Sequence, residues 1–308
     1  MDDLNLAITI AAMAVGITPQ GHPGRAAILN HLGNMLGTRF NRTGSMDDLN
    51  RAVDVTAMAV DTTPQDHPDR AGWLNNLGNW LGTRFKRTGS MDDLNRAVDV
   101  ATMAVDTTPQ DHPNRAGRLN NLGIWLGTRF DRTGSMDDLN RAVDVVAMAV
   151  DTTPQDHSDR ATILNNLGNL LGRRFDRTGS IDDLNRAVDV AAMAVDTTPQ
   201  DHPDRAGYLN SLGNLLRRRF DRTGSMDDLN RAVDVATMTR TGSMDDLNRA
   251  VDVATMAVDT TPQDHPDRAG WLNNLGNWLG TRFKRTGSMD DLNRAILHLK
   301  TTRTELAG

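Results

Sequence analysis

Cysteine is absent from all 308 residues, which excludes disulfides, thiolate zinc sites and thiol nucleophiles. Glutamate is nearly absent as well: of 40 acidic residues, 39 are Asp and Glu305 is the exception. Lysine is confined to Lys86, Lys284 and Lys300, so 31 of the 34 basic residues are Arg. Aromatic residues supply only 4% of the chain. No apolar run approaches the roughly 18 residues that a membrane-spanning helix needs, and no membrane partner is expected. Positive charge is not in excess either. With 34 Lys+Arg against 40 Asp+Glu the net charge is −6, which argues against a nucleic-acid partner, since phosphate binding calls for a basic stripe. The N-terminus reads MDDLN and lacks the basic start of a secretory signal, so a cytoplasmic location is expected.

What the chain does contain is one short text copied many times. The phrase [MI]DDLN begins at Met1, Met46, Met91, Met136, Ile181, Met226, Met244 and Met289, in steps of 45 residues with one step of 18. The 30 residues from Pro68 to Ala97 recur unchanged from Pro266 to Ala295. No linker or composition shift interrupts the copies, so residues 1–308 read as a single array. Its regular segment covers about 1–225, an irregular seam about 226–258, and a final helix pair about 266–304.

Each period divides into two helices. In the copy His67–Asp106, Pro68 suits a first helical position. Ala71, Leu74, Leu77, Gly78, Leu81 and Phe85 then recur at three- and four-residue spacing as one apolar stripe. Arg84 and Arg87 fall in the last turn, where positive charge complements the helix dipole. Gly89 supplies the left-handed stop, and Ser90 opens the next helix in a capping box with Asp in place of Glu. Leu94, Ala97, Val98, Ala101 and Val105 form the second stripe, and TTPQDHP ends the helix. No segment alternates with a period of two. The fold class expected is all-α, and because a two-helix unit cannot bury its stripe alone, equivalent units must stack into a solenoid.

The segment LNNLGNWL (Leu74–Leu81), followed by RAVDVATMAVDTTP (Arg96–Pro109), resembles the two helices of a tetratricopeptide repeat. The long period and the DHPDR junction (Asp66–Arg70) are most similar to the kinesin-light-chain type and to arrays in NTPase- or CHAT-domain regulatory proteins. That resemblance implies a right-handed superhelix of stacked antiparallel helix pairs, here with a 45-residue period and one truncated copy.

Candidate chemistry is sparse. Each copy contributes one repeat His (His22, His67, His112, His157, His202, His265). Equivalent atoms in stacked helices lie about 10 Å apart, too far to share an ion bound at roughly 2 Å; they read as helix-start residues, and no metal or other cofactor is expected. The Asp pairs, such as Asp92 and Asp93, read as capping and solubilising residues at helix starts. Nothing matches a phosphate loop or a nucleophile with a fixed base, so no enzyme is expected. Trp73 and Trp80 share one face, and the resemblance implies that they pack against the adjacent repeat.

Asparagine is the most suggestive residue. Two rows run along the first-type helices: Asn30, Asn75, Asn120, Asn165, Asn210 and Asn273, and beside them Asn34, Asn79, Asn169, Asn214 and Asn277, interrupted by Ile124. The resemblance maps them onto the lining of a concave groove. An amide offers donors and an acceptor, so a ladder of amides suits an extended peptide backbone; the plainer role is to cap, solvate or bridge neighbouring helices. The expectation is a non-enzymatic scaffold that binds a protein or peptide partner, as an extended segment or a helix. The alternatives are a self-associating array that forms homo-oligomers through uncapped ends, or the sensor piece of a larger regulatory protein. At the 18-residue step, a helix break at Gly242 is expected, with Met226–Met238 standing in for a first helix.

Overall fold

The computed structural model describes residues 1–225 and 268–305, with positions 227, 228, 231, 232, 235, 248, 251, 252, 255, 258 and 259 between them. All elements described are helices: α1 (Asp2–Ile17), α2 (Arg25–Thr43), α3 (Met46–Asp61), α4 (Arg70–Thr88), α5 (Met91–Asp106), α6 (Arg115–Thr133), α7 (Met136–Thr152), α8 (Arg160–Thr178), α9 (Ile181–Asp196), α10 (Arg205–Thr223), α11 (Arg268–Thr286) and α12 (Met289–Glu305). The expected break at Gly242 lies outside the described residues.

The chain forms two compact units, Met1–Asp159 and Arg160–Gly308. Within the first, each first-type helix packs most extensively on the second-type helix that follows it (α2 on α3, α4 on α5, α6 on α7), and each second-type helix also meets the next first-type helix. Within the second, α8 pairs with α9, α9 with α10, and α11 with α12. The core there continues from Phe220 to Leu272, Leu275, Leu279 and Ala295.

Local chemistry sets the helix ends. Gly89 at φ 74° ends α4, and the other copies stop in the same way at Gly44, Gly134, Gly179, Gly224 and Gly287. A left-handed residue costs glycine nothing, having no Cβ. Ser90 then caps α5, its side chain accepting from Asp93 N–H. Only half of the expected capping box forms: the Ser90 N–H donates to Thr88 Oγ1 at 3.2 Å rather than to an acid. Helix α4 begins at Arg70, not at Pro68, which instead lies in the turn closed by Arg70 N–H to His67 O at 3.0 Å.

Both expected stripes are buried, with Leu74, Leu81, Leu94 and Ala97 wholly inaccessible. Glycine sets how closely the helices approach. A Cβ at Gly78 would lie 3.4 Å from Ala97 O and from Val100 on the paired helix, and one at Gly123 would lie 2.1 Å from Val146 Cγ2. A second glycine faces the next first-type helix: Trp80 seats over Gly37 and Trp125 over Gly82, as the inter-repeat reading of the tryptophans expects. In the second unit a leucine does the same, Leu215 lying 2.9 Å from a Cβ built at Gly172.

Gly82→Ala would place a methyl 2.2 Å from Trp125 Cη2, and overpacking of this kind costs about 1–3 kcal/mol. The urea midpoint should fall accordingly. In a Trp125→Leu background the same change should cost much less. Equal costs in both backgrounds would show that the indole is not what Gly82 accommodates.

Candidate functional site

The first-type helices carry both asparagine rows, and one amide–amide pairing occurs twice between them. Asn76 Nδ2 donates to Asn30 Oδ1 at 3.0 Å, and Asn121 Nδ2 donates to Asn75 Oδ1 at 2.9 Å. The acceptors of Asn30 and Asn75 are therefore engaged in tying α2 to α4 and α4 to α6. Asn120 is buried. The same offset of 46 residues from Asn165 leads to Ser211, and there Asn165 Oδ1 is buried without a hydrogen-bond partner among the described residues. Asn210 is exposed.

The second row is more open. Asn34 and Asn79 are half-buried, while Asn169, Asn214 and Asn277 are exposed; Asn273, of the first row, falls within α11. In the second unit, Asn169, Asn210 and Asn214 come together around one recess of about 240 Å³, with Ser211, Arg173 and Arg218 beside them. Arg173 and Arg218 stand where other copies have Thr38, Thr83 and Thr128, and Arg218 pairs with Asp176 at 3.1 Å.

A network absent from the sequence reading fixes these helices. Arg84 donates through Nε and a terminal nitrogen to both oxygens of Asp93, at 2.8 and 2.6 Å. Arg39–Asp48, Arg129–Asp138, Arg174–Asp183, Arg219–Asp228 and Arg282–Asp291 repeat that fork. The second Asp of each pair is thus an ion-pair partner with little exposure, not a solubilising residue, and Arg84 answers a carboxylate rather than a helix dipole. A bidentate fork adds geometric specificity to charge. The signal was an Arg and an Asp nine residues apart after each of the six first-type helices, across a helix stop.

A second arginine closes four of the junctions. Arg70 donates to Val60 O and Thr63 O at 2.5 Å, capping the carbonyl end of α3. Arg25, Arg115 and Arg205 do the same for the helices before them. The repeat His acts at the start of the following helix: His67 Nδ1 accepts from Asp69 N–H at 3.2 Å, and His112 Nδ1 from Asn114 N–H at 3.0 Å. Among the described residues, no three His, Asp or Glu side chains are grouped to hold a metal ion, and no described helix is long and apolar enough to cross a membrane.

Paired helices stacked through glycine contacts, with a Leu-Gly stripe on the first helix, define a tetratricopeptide-type repeat. The tetratricopeptide repeat family model matches residues 25–69, 70–114 and 160–204, so these three segments are tetratricopeptide repeats. No curated protein matches the sequence. Among solved structures the chain is similar to BtubC (BKLC) from P. vanneervenii, with 16% identity and a TM-score of 0.54 over 85% of this chain and 95% of that one. It is also similar to Pseudomonas aeruginosa pilF, with 11% identity and a TM-score of 0.52 over 87% and 96%. Nearly identical TPR-like repeats of a kinesin light chain type from Podosopora anserina align at 18% identity and a TM-score of 0.41, over 77% and 98%. At these identities the first two likenesses establish the fold: an all-α solenoid of stacked helix pairs. Tetratricopeptide repeats generally mediate protein–protein interaction and are generally non-enzymatic.

Arg282 holds the Asp291 carboxyl below the usual carboxylate range, chiefly through its hydrogen bond and against the opposing pull of burial. A lowered folded-state value means that this contribution to stability is complete above the unfolded carboxylate range, about pH 4. It is lost as pH falls through the depressed value. Protection factors of α12 amides should therefore drop on acidification below pH 4. Asp291→Asn should lower them already at pH 6 and flatten the acid dependence; an unchanged acid profile in the variant would refute the assignment.

Proposed function

We propose that the chain is a non-enzymatic interaction scaffold that holds an extended peptide segment of a partner protein along its first-type helices, with the asparagine amides gripping peptide backbone. One observation carries this reading: the recess in the second unit is lined together by Asn169, Asn210 and Asn214. Amides placed side by side offer donors and acceptors to successive peptide groups without selecting side chains. The cross-links Asn76–Asn30 and Asn121–Asn75 support it indirectly, because they hold equivalent faces of successive helices in register. They also divide the rows. Asn30 and Asn75 serve the scaffold, so recognition falls to the more exposed Asn169, Asn210 and Asn214. The regular array running unbroken through residues 1–225, and a cytoplasmic setting, belong to the same proposal.

The test uses peptides selected on the wild-type chain from a random peptide library. Asn169, Asn210 and Asn214 all changed to Ala should leave helicity intact. Three lost hydrogen bonds at about 0.5–1.5 kcal/mol each should weaken peptide binding roughly 10-fold to over 1,000-fold. Equal affinity in a folded triple variant, or failure to select any peptide, would overturn the reading.

A further inference from the structure

One first-type helix departs from its copies in a concerted way. At the fourth residue of α6 stands Arg118, where the others carry Ile28, Trp73, Ile163, Tyr208 and Trp271. At its N-cap stands Asn114, where four other copies carry Asp69, Asp159, Asp204 and Asp267 and α2 carries Gly24. This one repeat has thus gained a cation and lost an acid within five residues.

The structure buries that cation. Arg118 is only 8% exposed, and its one polar partner among the described residues is Thr108 Oγ1, at 2.5 Å. Arg115 converges on the same residue, donating to Thr108 O. Burial pushes the Arg118 guanidinium down from its usual range, and no carboxylate opposes that. A guanidinium carries five N–H donors and stays protonated in proteins; the single neutral partner at Nη1 leaves the other donors without a counter-charge, and they are not wholly cut off from solvent. The other interhelix arginines whose partners are given above meet a carboxylate or cap a helix end.

The space beside Arg118 is also unlike its equivalent. One terminal nitrogen lies 3.7 Å from where a Cβ would stand on Gly72, a half-buried position on α4. In the second unit the corresponding spot is occupied by Thr162, whose hydroxyl lies 2.8 Å from Tyr208 Oη. At Gly72 no side chain fills the notch, and the guanidinium tip forms its floor.

We propose that this notch, beside Gly72 and the tip of Arg118, binds a small oxyanion, either free inorganic phosphate or a carboxylate. The oxyanion supplies the counter-charge that the fold withholds, accepting from the remaining Arg118 donors while Thr108 orients the guanidinium. The asparagine rows take no part, so the site stands or falls independently of peptide binding.

Thermal unfolding of the full chain tests it, in buffers where sodium phosphate or sodium acetate replaces sodium chloride at equal ionic strength. At tenfold excess over Kd, the bound anion should raise Tm by about 3 °C. Response to phosphate alone identifies inorganic phosphate as the ligand, and an equal response to acetate identifies a carboxylate. Arg118→Met should fold, since apolar residues are usual at this position, and should melt higher in chloride. It should retain only the general stabilisation that kosmotropic anions give any protein. Gly72→Thr, which fills the notch but keeps the charge, should lose the specific response too. No anion-specific rise in the wild type, or a rise that persists in either variant, would overturn the site.

Discussion

Close approach at glycine is the constraint from which the rest of the structure follows. A two-helix unit exposes apolar surface on both sides and gains stability only when neighbours cover it. Covering it at this spacing needs positions without a side chain on the first-type helix: Gly78 or Gly123 toward the paired helix, and Gly37 or Gly82 toward the next repeat's indole. Once the helices are that close, the Arg84–Asp93 fork spans their common end, and the Asn121–Asn75 bond spans successive first-type helices. Both are short-range contacts that depend on the glycine spacing.

The helices and their faces were legible because each leaves a local signature. The stripe through Leu74, Leu77 and Leu81, the stop at Gly89 and the Ser90 cap are all read within one turn of sequence, and all stand where expected. The seating of Trp80 against the adjacent repeat followed from the family resemblance, the angle giving only the face it shares with Trp73, which stacks on His67. What escaped reading was interaction between charges on different helices. Asp93 at a helix start has an adequate local explanation as a dipole partner, as does Arg84 near a helix end. Only the folded hairpin shows that the two satisfy each other. Pro68 misled for a related reason: a proline fits a helix start, but the His67–Arg70 turn claims it first.

The asparagines show a similar division. Identical residues in a repeat invite one role for all, yet the offset of 46 residues assigns Asn76 and Asn30 to the scaffold. Replacing Asn by Ser at position 211 leaves Asn165 Oδ1 buried and unpartnered among the described residues. An orphaned buried acceptor costs about 1–3 kcal/mol, so this copy is less well satisfied than those before it. The recess lined by Asn169, Asn210 and Asn214 adjoins that same departure, at Ser211.

Repeated and singular features do different physical work. Stacked helices lie about 8–10 Å apart, and an extended chain rises about 3.3 Å per residue. Equivalent amides in successive repeats would therefore meet about every third residue of an extended ligand. Such a match suits recognition of backbone, which is itself periodic, and gives affinity that grows with the number of repeats engaged. It cannot by itself place a ligand, because shifting by one repeat restores every contact. Registration needs a feature that occurs once. The paired arginines around Asn169 and Asn214 distinguish a stretch of the second unit. On the proposed reading, the amides that recur would supply affinity for backbone, and register would rest on such departures.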